Sequence, residues 1–198
     1  MITDSVPKRK SRLEEYMLSD SMASLLLPPA DELNALASAI EIALKEENRK
    51  EIEKHCNAIA RIVAEAFEVD APPVKVLGVR PHRTQDGVCV YEKFGDYDFD
   101  TTLIRLWMRT AIKQKVTSYG TLLSTVCHEL CHHLDVVKLG LPNTFHTRGF
   151  YNRAGLLYHH TRNTPMRPIA WVRQYDGTYR VNWAQTMTKS QAPAGNKV

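Results

Sequence analysis

His128-Glu129-Leu130-Cys131-His132 limits what this chain can be more than any other stretch of it. Residues four apart on an α-helix lie one turn apart on the same face. His128 and His132 can therefore each offer an imidazole nitrogen to one Zn²⁺, at about 2.0–2.1 Å. Glu129 stands beside the first ligand, placed to hold a water at the metal and take its proton. The flanking residues predict the helix itself. Leu122, Leu123, Val126, Leu130, Leu134 and Val137 recur at three- and four-residue steps. Ser118 is its candidate N-cap, and Gly140 and Pro142 stop it. Polar side chains inside so apolar a helix need partners, and a metal supplies them. Cys127 and Cys131 fall one position before each histidine, turned roughly 100° from the ligand face. They read as small apolar packing residues.

A catalytic zinc takes three protein ligands and leaves a fourth position for water. No glutamate follows Glu129, so a downstream glutamate ligand is excluded. The sixth residue after His132 is Lys138, so the short His-x-x-Gly-x-x-His extension of the metzincins is absent. The candidates left are His133, Asp135, His146, His159, His160 and Asp176. His133 is rotated by roughly 100° from His132 and points elsewhere. Asp135 lies about two turns beyond His128 and better suits an outer hydrogen bond that orients His132. His159 and His160 close a helical pattern, where the helix dipole favours cations. His146 is the best candidate. The Gly140-Leu141-Pro142-Asn143 turn reverses the chain, and Phe150, Ala154, Leu157 and Tyr158 begin a returning helix that can bring His146 back to the first.

Cys127 to His132, followed by His146-Thr147-Arg148-Gly149-Phe150, resembles the SprT-like (Spartan-type) zinc metallopeptidases. Their pattern is His-Glu-x-x-His, a loop, then a third histidine opening a helix with an aromatic residue close behind. The resemblance covers roughly residues 75–160. It implies a compact zincin-like domain, with His128, His132 and His146 as metal ligands and Glu129 as catalytic base. It also implies a protein or peptide substrate and a sheet edge beside the metal that pairs with its extended backbone. The strand predicted over Thr101–Trp107 is the candidate edge. The chain departs from the family in having no cysteine after Cys131, so it carries no C-terminal zinc ribbon.

Around this centre the chain reads as one α+β domain over residues 31–186. A weakly ordered tail over 1–30 precedes it and a disordered tail over 187–198 follows. Leu33, Leu36, Ala37, Ile40 and Leu44 predict a helix from Asp31, and Ile52, Cys56, Ile59, Val63 and Phe67 a second. Val74–Val79 and Val88–Tyr91 read as strands, with Asp86-Gly87 a hairpin signal. Gly95-Asp96-Tyr97-Asp98 reads as a turn, and residues 169–183 as a final hairpin around Tyr175-Asp176-Gly177. Together these make a small, mostly antiparallel sheet.

A net charge of +4 permits contact with DNA, for which Lys8-Arg9-Lys10-Ser11-Arg12 is the basic cluster. No apolar run is long enough to span a bilayer. Four cysteines without a C-x-x-C pair fit free thiols in a reducing cytosol. A second oxyanion donor is sought among Tyr151, Tyr158, Arg148 and Arg153, all near His146. Two other readings keep the same fold. One is a catalytically inactive or regulatory DNA-associated module whose structural zinc is closed by His159 or His160. The other is hydrolysis of a non-peptide amide.

Overall fold

The computed structural model describes residues 1–187. The apolar stripes read from the sequence become two helices, α2 (Ala30–Lys45) and α3 (Arg49–Ala66), after a first helix α1 (Lys10–Ser21). Leu33, Ala37, Ile40 and Leu44 of α2 pack with Ile52, Cys56, Ile59 and Val63 of α3 in one core. Asn48 caps α3 by accepting from the Glu51 amide. Five strands follow: β1 (Val74–Val79), β2 (His82–Gln85), β3 (Val88–Glu92), β4 (Gly95–Tyr97) and β5 (Ile104–Arg109). Two long helices, α4 (Tyr119–Val137) and α5 (Arg148–Arg162), precede a hairpin of β6 (Trp171–Arg173) and β7 (Tyr179–Val181) and a short α6 (Trp183–Met187). The fold is α+β.

The sheet next to α4 has the order β1-β5-β4, with β1 parallel and β4 antiparallel to β5. This corrects the edge assignment. The strand expected at the edge, β5, is central, and its Ile104, Leu106 and Met108 are buried as a central strand requires. The edge facing α4 is β4, the segment that reads as a turn. Three residues rich in glycine and aspartate carry little strand propensity of their own. Pairing of Gly95 with Leu106, Asp96 with Arg105 and Tyr97 with Ile104 makes them a strand. β2 and β3 form a separate hairpin, closed by Asp86 and Gly87, both at positive φ.

Residues 1–30 are not the loose tail expected. Ile2 bridges to Arg180, the Thr3 amide donates to the Tyr179 carbonyl, and Val181 donates to Met1. The chain end thereby joins the β6–β7 sheet. Helix α1 packs on α5, where Gly149 meets the carbonyls of Ser19, Asp20 and Met22 with no room for a Cβ. The ties are polar, so an apolar pattern does not reveal them. Of the tail expected over 187–198, Met187 closes α6 and the remainder lies outside the described residues.

Candidate metal centre

Burial fixes α4. Leu122, Leu123, Val126, Leu130 and Leu134 are all at most 1% exposed. Each such side chain contributes about 1.5–3 kcal/mol by leaving water, so the helix is a rigid platform. Ser118 caps it, accepting from the Thr121 amide at 3.2 Å. Cys127 and Cys131 are buried on the packed side, as their phase predicts, and burial pushes the Cys127 thiol up to about 12. Helix α5 begins after Thr147, whose hydroxyl accepts from the Phe150 amide at 3.0 Å. His146 therefore sits one residue ahead of the cap, in the loop rather than on the helix.

His128, His132 and His146 converge. Nε2 of His128 lies 3.2 Å from Nε2 of His132 and 3.2 Å from Nε2 of His146. One imidazole nitrogen carries either a proton or a lone pair, so His128 Nε2 cannot satisfy both neighbours by hydrogen bonding. Two nitrogens on a tetrahedral zinc are about 3.3 Å apart, given bonds of about 2.0–2.1 Å. The donor set thus fits a metal better than it fits a hydrogen-bond chain. Burial lowers the His128 imidazole to about 3, with His146 adding to the effect. Burial lowers His132 as well, His128 and His146 contributing. Both stay neutral at physiological pH, which is the form that binds a cation.

Aromatic rings wall the three histidines. Phe150 stacks on His132 at 4.4 Å between centroids, and Tyr151 stacks on His146 at 5.7 Å. Phe99 and Phe145 flank the open side, 5.0 Å apart and each 6.2 Å from His132. Glu129 is 6% exposed on the side of α4 under β4. A Cβ on Gly95 would lie 3.0 Å from its Oε1. Burial raises this carboxyl to about 8, Asp96 adding to the effect and Lys93 opposing it.

The other candidates go elsewhere. His133 takes Tyr97 on Nδ1 at 3.1 Å and the Asp70 carbonyl on Nε2 at 2.9 Å, fastening β4 and the loop between α3 and β1 to α4. Asp135 does not orient His132. It pairs with Arg153 at 2.6 and 3.2 Å, and both side chains are at most 2% exposed. His159 meets Thr164 and His160 meets the Pro28 carbonyl. Asp176 accepts from Thr178 in the β6–β7 turn. Of the four oxyanion candidates, Tyr151 donates to the Ile2 carbonyl at 3.0 Å and Arg148 pairs with Asp20. Arg153 is bound to Asp135, and Tyr158 pairs with Arg162.

In comparisons with known proteins, no family model, curated protein or solved structure matches this chain.

Proposed function

We propose that the protein is a zinc-dependent metallopeptidase of the zincin type, SprT-like in its motif. One observation carries the reading: three histidine Nε2 atoms converge as zinc ligands do, with a buried carboxylate on the residue beside the first. Zinc at such a centre acidifies a water and polarises a carbonyl. His128, His132 and His146 would hold the ion, and Glu129 would take a proton from the water there and pass it to the leaving amine. Burial raises this carboxyl in the metal-free chain, and a cation held nearby would favour its charged form.

The edge of β4 supports a peptide substrate. Trp107 donates to the Phe94 carbonyl and Asp98 to the Leu103 carbonyl. Alternation along an antiparallel ladder then turns the Gly95 and Tyr97 backbone outward, free to pair with an extended chain. Such pairing holds a backbone without reading its sequence. The metal-binding group has three members among the described residues, and neither His159 nor His160 joins it. That favours an open, hydrolytic site over a closed structural one. Contact with DNA through Lys8, Arg9, Lys10 and Arg12 and a cytoplasmic setting for the free thiols complete the proposal. No helix among the described residues is long and apolar enough to cross a membrane.

Metal content and casein cleavage, with and without single-stranded DNA, test the reading. One zinc per chain is expected in the wild type, lost in His146→Ala and retained in an inactive Glu129→Gln. Full zinc in His146→Ala sinks the ligand assignment. Zinc binding with no cleavage under any condition sinks the peptidase.

A further inference from the structure

The third ligand stands in a loop, and the N-terminal segment holds that loop residue by residue. Glu15 accepts from the Asn143 amide at 2.7 Å and from the Thr144 hydroxyl at 3.0 Å. Ser19 shares a hydrogen bond with Thr147 at 2.9 Å, and Asp20 accepts from the Arg148 amide at 2.9 Å. Asp4 grips His146 itself. Its amide donates to the His146 carbonyl at 2.8 Å, and its Oδ2 accepts from the His146 amide at 3.0 Å. Its other oxygen, Oδ1, lies 3.6 Å from His146 Nδ1.

That last contact carries a meaning the backbone bonds do not. His146 turns Nε2 toward His128, so Nδ1 is the nitrogen facing away from the other two ligands. A contact of 3.6 Å is electrostatic rather than a hydrogen bond. A carboxylate at that range nonetheless favours the proton on the nearer nitrogen and leaves the lone pair on Nε2. Metal-bound histidines are oriented in this way by an outer carboxylate. The rings around His146 belong to His128, His132, Phe150 and Tyr151. Tyr151 spends its hydroxyl on the Ile2 carbonyl.

We propose that Asp4 is a positioning residue for the metal centre, fixing the Nδ1–H tautomer and the direction of His146 from a segment 142 residues away in sequence. The inference rests on the metal-centre reading above. The chain is tested by zinc affinity, measured in competition with a chromogenic chelator, beside the melting temperature of the metal-free protein. Asp4→Asn keeps an oxygen for the His146 amide and loses the charge; Asp4→Ala loses both. Both variants are expected to bind zinc about 10–100-fold more weakly, the usual effect of removing an outer partner. Metal-free Asp4→Asn is expected to melt with the wild type. Zinc affinity of Asp4→Asn within about twofold of wild type overturns the proposal, because Asp4 then only anchors the backbone. Nitrogen–proton NMR correlations of the zinc-loaded wild type provide a test that needs no variant. Zinc on Nε2 with the proton on Nδ1 is expected, and zinc on Nδ1 overturns the assignment. A wild type that binds no zinc instead removes the metal centre on which the inference stands.

Discussion

Gly95 of β4 lies directly over Glu129 of α4. A Cβ at this position would stand 3.0 Å from the carboxylate and inside the Thr125 methyl. The edge strand and the proposed base approach this closely because residue 95 has no side chain.

Gly95→Ala should therefore push β4 off α4 or Glu129 out of line. Overpacking of this kind costs about 1–3 kcal/mol, read as a lower denaturant midpoint. Peptide cleavage should fall while zinc content holds. Gly78→Ala, with nothing within 4 Å of the added carbon, is the control and should leave cleavage intact. Equal activity in the two variants would mean that β4 does not bear on the site.

Glu129 should also mark the pH dependence of the metal-free protein. Its carboxyl is raised from the ordinary 4.5 to about 8, so the folded chain holds a proton there that the unfolded chain gives up. Stability contributed by this group is present below 4.5 and declines as pH rises toward about 8. Glu129→Gln, uncharged throughout, lacks that decline. In urea titrations with chelator present, the glutamine variant should gain on the wild type as pH climbs through this window. Parallel curves would show that Glu129 is solvated in the metal-free state.

The ion pair between Asp135 and Arg153 is fully buried, and breaking one side of it strands a charge. Asp135→Asn should cost about 3–5 kcal/mol in chemical unfolding. Arg153→Met should cost more still, because it also takes hydrogen bonds from the Ser19 and Met22 carbonyls. A loss below about 1 kcal/mol in Asp135→Asn would mean that water reaches the pair.

Tyr97→Phe removes one hydrogen bond, to His133, and nothing from the three converging histidines. A loss of about 1 kcal/mol is expected, with zinc content unchanged. Zinc lost from this variant would place His133 nearer the metal than its bonds to Tyr97 and the Asp70 carbonyl allow.

Helix α4 was legible because helical spacing, apolar phase and caps all act within a few residues of each other. The return of His146 to α4 was legible from the turn before it, although it precedes α5 rather than riding on it. The edge strand was not legible. Gly95, Asp96 and Tyr97 carry turn chemistry, and only pairing with Leu106, Arg105 and Ile104 extends them. The N-terminal segment was hidden for a related reason. Asp4, Glu15 and Asp20 look like solvated charges until residues 143–148 arrive beside them. Local pattern carries no signal of a partner that distant.

The separation of Asp4 from His146 bears on how the protein is made. The two residues leave the ribosome 142 positions apart. At about 5–20 residues per second, Asp4 waits on the order of ten seconds for the histidine it holds. For that interval the segment around Asp4 has partners not yet synthesised, and the histidine trio does not exist. On the proposed reading, metal loading would follow the meeting of Asp4 with the loop that carries His146. A fragment confined to the His-Glu-x-x-His helix offers two imidazoles and no centre.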